Sequence, residues 1–181
     1  MRSTQWDRRA ASLLKAAGVT ELPVDVTAVA HHLGIHVMPF NLGDDVSGVL
    51  VQDHGQATIG YNEHQHPVRQ RFTIAHEIGH FIFHKRDAPL FVDHDFRISF
   101  RNKRSSTGKH RQEREANAFA AALLMPWHEV KKAAKEIHYD LMDDRSLTLL
   151  ARKFDVSRQS MSYRLARVMS DEPAYPSTRM R

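Results

Sequence analysis

Not one cysteine occurs among the 181 residues. That removes disulfides, thiolate metal sites and a cysteine nucleophile together, and it points to a reducing compartment. Long apolar runs are missing too: the longest, Ala118 to Pro126, is half of what a membrane-spanning helix requires, and much of it is alanine. The opening residues, Met1 to Asp7, are polar and charged where a secretory signal needs an apolar stretch, so a cytoplasmic protein without membrane contact is expected. Internal repeats and extended low-complexity tracts are lacking, which sets solenoids and tandem arrays aside. So is a strong charge bias. The formal charge of +5 and the pI near 9.7 are accounted for by a solvated basic surface as readily as by nucleic acid.

What is present reads as one globular domain with a small appendage, since a chain of this length buries most of its apolar surface unaided. A first helix is capped by Ser3 or Thr4, carries Trp6, Leu13, Leu14 and Ala17 on one side and stops at Gly18. Asp25 caps a second, shorter helix with Val26, Val29, Ala30 and Leu33 inward; Gly34 ends it before a strand over Ile35 to Phe40. Residues 49–52 and 57–61 form short β-rich runs about the turn Asp53-His54-Gly55. Pro67 opens a long helix reaching about His84. Residues 85–110 are the least regular stretch, with a strand at Phe96 to Phe100, a basic, Ser-rich loop at Asn102 to Gly108 and disorder expected. Helices then follow at Arg111 to Met125, at about 127–138, 146–154 and 157–169, and the last residues form a frayed tail. The fold class is α+β: a small mixed or antiparallel sheet packed on the long helix, followed by a C-terminal helix-turn-helix-like segment.

The long helix carries His76-Glu77-Ile78-Gly79-His80. Residues four apart on a helix lie one above the other, so both imidazoles can grip one ion. Glu77 points about 100° around the axis, able to reach the attacking water without ligating the metal, which is where a general base belongs. Gly79, costly in mid-helix, implies a close approach to the backbone. A catalytic zinc site needs a third protein ligand. His84 stands about 12 Å along the axis from His76, too far to share the ion, and is placed near the rim. Glu113 is favoured over Glu115, because only Glu113 has Asn117 four residues on, able to orient a ligating imidazole. Glu115 is left as a surface carboxylate near a helix start.

Two blocks, 69–80 (RQRFTIAHEIGH) and 113–126 (EREANAFAAALLMP), resemble the ImmA/IrrE metallo-endopeptidases, a family within the zinc peptidases that use two histidines and a glutamate. The resemblance implies a zinc peptidase core over roughly residues 10–140, with one Zn²⁺ held by His76, His80 and Glu113 and base catalysis by Glu77. It also implies the substrate class, since family members act on DNA-binding helix-turn-helix repressors or antitoxins. The insertion between Lys85 and His110 departs from the family pattern and leaves the architecture beside the site open. An oxyanion donor is to be sought among His84, Tyr61 and Arg71, and an extended substrate is expected to pair with an edge strand supplied by the 49–61 hairpin.

The domain division expected is a peptidase core over 1–140, helix-turn-helix-like helices over 141–170 and a flexible tail over 171–181. In residues 147–168, Ala151, the turn Asp155-Val156-Ser157 and inward Met161 and Leu165 fit a helix-turn-helix, with Arg158, Gln159, Ser162 and Tyr163 on a groove-facing side. The competing reading, favoured by the mild charge, is that the two helices close the domain or grip a partner protein rather than DNA. Three functions therefore stand at the level of sequence: an endopeptidase cleaving a regulator, a DNA-binding transcription regulator with a vestigial metal site, and a toxin with an antitoxin partner. The intact set of catalytic groups favours the first.

Overall fold

Thr4 begins the first helix by a reciprocal cap: its hydroxyl accepts from the Asp7 N–H at 3.2 Å and the Asp7 carboxylate accepts from the Thr4 N–H at 2.7 Å. The computed structural model describes residues 3–84, 90–94, 107–137 and 144–169. Within them the order is α1 (Gln5–Ala16), α2 (Val26–His32), β1 (Ile35–Phe40), β2 (Val46–Asp53), β3 (Gln56–Asn62), α3 (Pro67–His84), β4 (Leu90–His94), α4 (Thr107–Leu124), α5 (Trp127–Glu136), α6 (Asp144–Phe154) and α7 (Arg158–Met169). Asp25 caps α2 by accepting from the N–H groups of Thr27 and Ala28, both at 3.0 Å. At the β2–β3 turn His54 and Gly55 both have left-handed φ, 46° and 84°, which matches a two-residue hairpin to the strand twist.

The four strands form a mixed sheet in the order β1-β3-β2-β4, with β1 parallel to β3 and the other pairs antiparallel. Ile35 of β1, Leu50 of β2 and Ile59 of β3 are fully buried, and α2 and α3 pack on the sheet. On its other side α3 is covered by α4, where a Cβ on Gly79 would stand 3.0 Å from the Ala116 Cα, so the expected close approach is that of a neighbouring helix. The fold is thus α+β with the sheet packed on the long helix.

Three expectations change. Among the described residues the 49–61 hairpin supplies no edge: β3 lies between β1 and β2, and β2 between β3 and β4, so the edges there are β1 and β4. A strand, β4, occupies part of the stretch read as irregular, because pairing with β2 organises it. Helix α4 begins at Thr107, four residues before the expected start. The expected strand at Phe96 to Phe100, the disorder in most of 85–110 and the flexible tail over 171–181 lie outside the described residues.

The C-terminal pair turns through Asp155, whose φ of 49° is left-handed, as the sharp bend between two helices requires. Leu150, Phe154, Met161 and Leu165 enter the same buried cluster as Leu123 and Ala133. Arg164 on α7 reaches Asp7 on α1 at 2.6 Å and donates to the Met125 carbonyl at 2.9 Å, with both charged side chains almost fully buried. Burial alone would raise the Asp7 carboxyl, but hydrogen bonds from Thr4 and Arg164 hold it below the usual aspartate range. A depressed carboxylate contributes stability that is present above its unfolded value and is lost as pH falls through the folded one. Arg164→Leu is expected to cost about 3–5 kcal/mol, because it strands a buried charge, and the double variant with Asp7→Asn should recover much of that. Urea midpoints at neutral pH check both; a single variant within about 1 kcal/mol of wild type would show that the pair does not hold α7 to the core.

Candidate metal centre

Helix α3 is started by Pro67, and His66 Nδ1 accepts from the Val68 N–H at 3.3 Å, so a side chain satisfies one of the first free amides. From Thr73 to His80 every residue is buried between the sheet and α4. That burial turns a local sequence pattern into a constrained site. The ridge of α3 carrying His76 and His80 faces the ridge of α4 carrying Glu113 and Asn117, the two helices meeting at Gly79 and Ala116.

His76 Nε2 is 3.0 Å from His80 Nε2 and 3.2 Å from Glu113 Oε2, and His80 Nε2 is 3.5 Å from Glu113 Oε1. Four ligands at about 2.0–2.1 Å from a tetrahedral zinc stand roughly 3.3 Å from one another, so these three groups already have the spacing of one face of such a tetrahedron. The amide oxygen of Asn117, 3.0 Å from His76 Nδ1, can only accept; His76 therefore carries its proton on Nδ1 and turns the Nε2 lone pair toward the shared centre. Burial alone would raise the Glu113 carboxyl, but the imidazoles of His76 and His80 against it hold it far below the usual carboxylate range. Burial lowers His80, keeping its imidazole in the neutral form a metal requires, while the Glu113 carboxylate opposes that shift. Two imidazoles and one carboxylate with a fourth direction left over is a donor set that suits zinc.

Glu77 is fully buried beside this cluster, turned toward β2, and is not one of the three grouped donors. A Cβ on Gly48 of β2 would stand 3.4 Å from Glu77 Oε1 and 2.3 Å from Thr73 Cγ2. Gly48 follows a bulge: Val46 faces His94 and Gly48 faces Asp93, leaving Ser47 as the extra residue. The buried Ser47 hydroxyl accepts from Gln65 at 3.0 Å and Arg69 at 2.9 Å, which pins that bulge to the start of α3. Neither Gly48 nor Thr73 was singled out by sequence. The available signal was a glycine abutting the β-rich run of residues 49–52, which marks a close backbone approach once the strand extends over it.

The other sequence candidates sort differently. His84 is buried, not at the rim, since Glu115 from α4 covers it at 3.7 Å. Glu115 also pairs with Arg111 on its own helix at 2.9 Å, so between His84 and Arg111 it does not stand free on the surface. Arg71 bonds Asp155 at 3.1 Å and the Val24 carbonyl at 3.0 Å, anchoring the α6–α7 turn. It shares with Tyr61, Asp25 and Gln70 a cavity of about 260 Å³ whose lining includes none of the three ligand candidates. The structure therefore brings together His76, His80, Glu113 and Asn117 with Glu77 adjacent, and leaves Arg71 and Tyr61 elsewhere.

Among the described residues no helix is long and apolar enough to cross a membrane. Comparison with known proteins adds a family and a fold. The model of the IrrE N-terminal-like domain, peptidase M78, matches residues 30–166. "Uncharacterized immunity region protein 2" of Bacillus phage phi105 is 29% identical over 98 residues, 54% of this chain and 56% of that one. A Mycobacterium tuberculosis transcriptional regulator superposes over 89% of this chain and 46% of its own, with a TM-score of 0.62 and 21% identity. This chain spans about half the length of each, and the second likeness is one of fold.

Proposed function

Because the chain belongs to the IrrE N-terminal-like family of M78 peptidases, we propose that it is a zinc-dependent endopeptidase that cuts a DNA-binding regulator, a helix-turn-helix repressor or antitoxin, and so relieves repression. The observation that carries the reading is the convergence of His76, His80 and Glu113, with Asn117 fixing the tautomer of His76 and Glu77 buried alongside. In this reading His76, His80 and Glu113 hold one Zn²⁺. The bound ion supplies Lewis acidity at the scissile carbonyl and a more acidic attacking water. Glu77 takes the proton from that water on its carboxylate and returns it to the leaving amine nitrogen. Glu113, whose carboxylate lies against both imidazoles, serves in this reading as a ligand and not as a proton carrier.

Among the described residues β4 has a strand partner only on its β2 side, and position 93 pairs with Gly48, the residue against Glu77. An extended substrate adding to the outer edge of β4 would run two strand spacings, about 10 Å, from the β2 residue that lies against the base. A peptidase holding its substrate extended selects flexible segments, because ordered backbone resists local unfolding. The cut thus falls in a linker, separating a DNA-binding half from a dimerising half and weakening operator binding. The outward side of α7, with Arg158, Gln159, Ser162 and Tyr163, is left for docking such a partner, while its inward side is occupied by the core. The division expected from sequence, a peptidase core over 1–140 and a helical segment over 141–170, is retained in this proposal.

The test incubates zinc-loaded protein with the helix-turn-helix regulator encoded beside its gene and, separately, with unfolded casein, and maps fragments by mass. One or two cuts in the regulator with little digestion of casein is the expected result. Efficient casein digestion with an intact regulator would refute the regulatory reading and leave the zinc chemistry standing.

A further inference from the structure

Thr73 is fully buried in the middle of α3, and its hydroxyl has no hydrogen-bond partner among the described residues. A threonine inside a helix ordinarily turns its Oγ1 back to the carbonyl three or four residues earlier; Thr73 does not. Its methyl Cγ2 instead fills the space above the Cα of Gly48, where a Cβ would come within 2.3 Å of it. An orphaned hydroxyl in a dry place is costly, and valine, of the same shape, would fill the space without the loss. A polar atom kept where an apolar one would be more stable marks a site whose purpose is not packing.

Position fixes what it serves. Thr73 lies four residues before Glu77, on the same face of the helix. The Thr73 methyl and Glu77 Oε1 both lie within 3.4 Å of a single point, the missing Cβ of Gly48. The bulge at Ser47, clamped by Gln65 and Arg69, holds Gly48 at that point. We propose that Thr73 is a positioning residue for Glu77: as the substrate complex forms, its hydroxyl donates a hydrogen bond to the Glu77 oxygen beside Gly48, aiming the other oxygen at the attacking water. A side chain at position 48 would occupy the gap across which that bond forms. Hydrogen bonds of this kind are commonly open in the free enzyme and close in the complex. The inference rests on the endopeptidase reading above and adds a residue to it.

Thr73→Val removes only the hydroxyl and Thr73→Ser only the methyl, so the pair separates positioning from packing. With a substrate the wild type cuts, Thr73→Val is expected to lower kcat about tenfold at nearly unchanged KM, while Thr73→Ser stays within about threefold of wild type. Without substrate the order reverses: Thr73→Val should melt no lower than wild type and up to about 2–4 °C higher, and Thr73→Ser lower. Zinc content should be the same in all three. A Thr73→Val protein that cuts as fast as wild type overturns the proposal and leaves the peptidase intact. So does a Thr73→Val protein that melts lower, since the hydroxyl would then have a structural partner. Zinc-loaded wild type that cuts neither regulator nor casein would sink the peptidase reading itself, and this role with it.

Discussion

Glu77→Gln is expected to reduce peptide cleavage by about 10²- to 10⁴-fold while leaving zinc content and melting temperature nearly unchanged. Glutamine matches glutamate in shape, so the fully buried site between α3 and β2 is not emptied, and position 77 is not among the three grouped donors. What glutamine lacks is a carboxylate able to take the proton of the attacking water. A loss confined to kcat in single-turnover assays, with metal measured on the same sample, is the signature of a missing base as opposed to a missing ligand. Full activity in Glu77→Gln would remove Glu77 from the mechanism.

The second large effect is on metal affinity. Glu113→Ala should weaken zinc binding on the order of a hundredfold or more, since loss of a group that merely orients a ligand already costs about 10–100-fold. Glu115→Ala should bind zinc close to wild type. The two carboxylates are two residues apart on one helix, yet the geometry separates them sharply. Glu113 stands 3.2 and 3.5 Å from the Nε2 atoms of His76 and His80, whereas Glu115 turns to His84 and Arg111. Competition with a chromophoric chelator gives both affinities. Equal values would show that Glu113 is not a ligand.

Within each helix the pattern was legible because its links are short-range. His76 and His80 share a face by helical spacing, and Glu113 was preferred for the same reason, Asn117 lying one turn on. The structure confirms that Asn117 bonds His76, but it does so through α4 packing on α3, with Gly79 meeting Ala116. The helical rise also excluded His84 from the ion. Its burial could not be read that way, since it depends on Glu115 arriving from another helix.

By itself the sequence determined the ends of α1, α2 and α3, the β2–β3 turn and the shared face of His76 and His80, because caps, turn residues and four-residue spacing act within a few residues of chain. Tertiary structure alone decided the sheet order, which puts β3 between β1 and β2 and leaves β1 and β4 as the edges among the described residues. It also decided the Ser47 bulge and the burial of Thr73 against Gly48. Those features arise from pairing and packing between segments distant along the chain, and no local pattern records which strand will be a neighbour or which hydroxyl will be shut away from water.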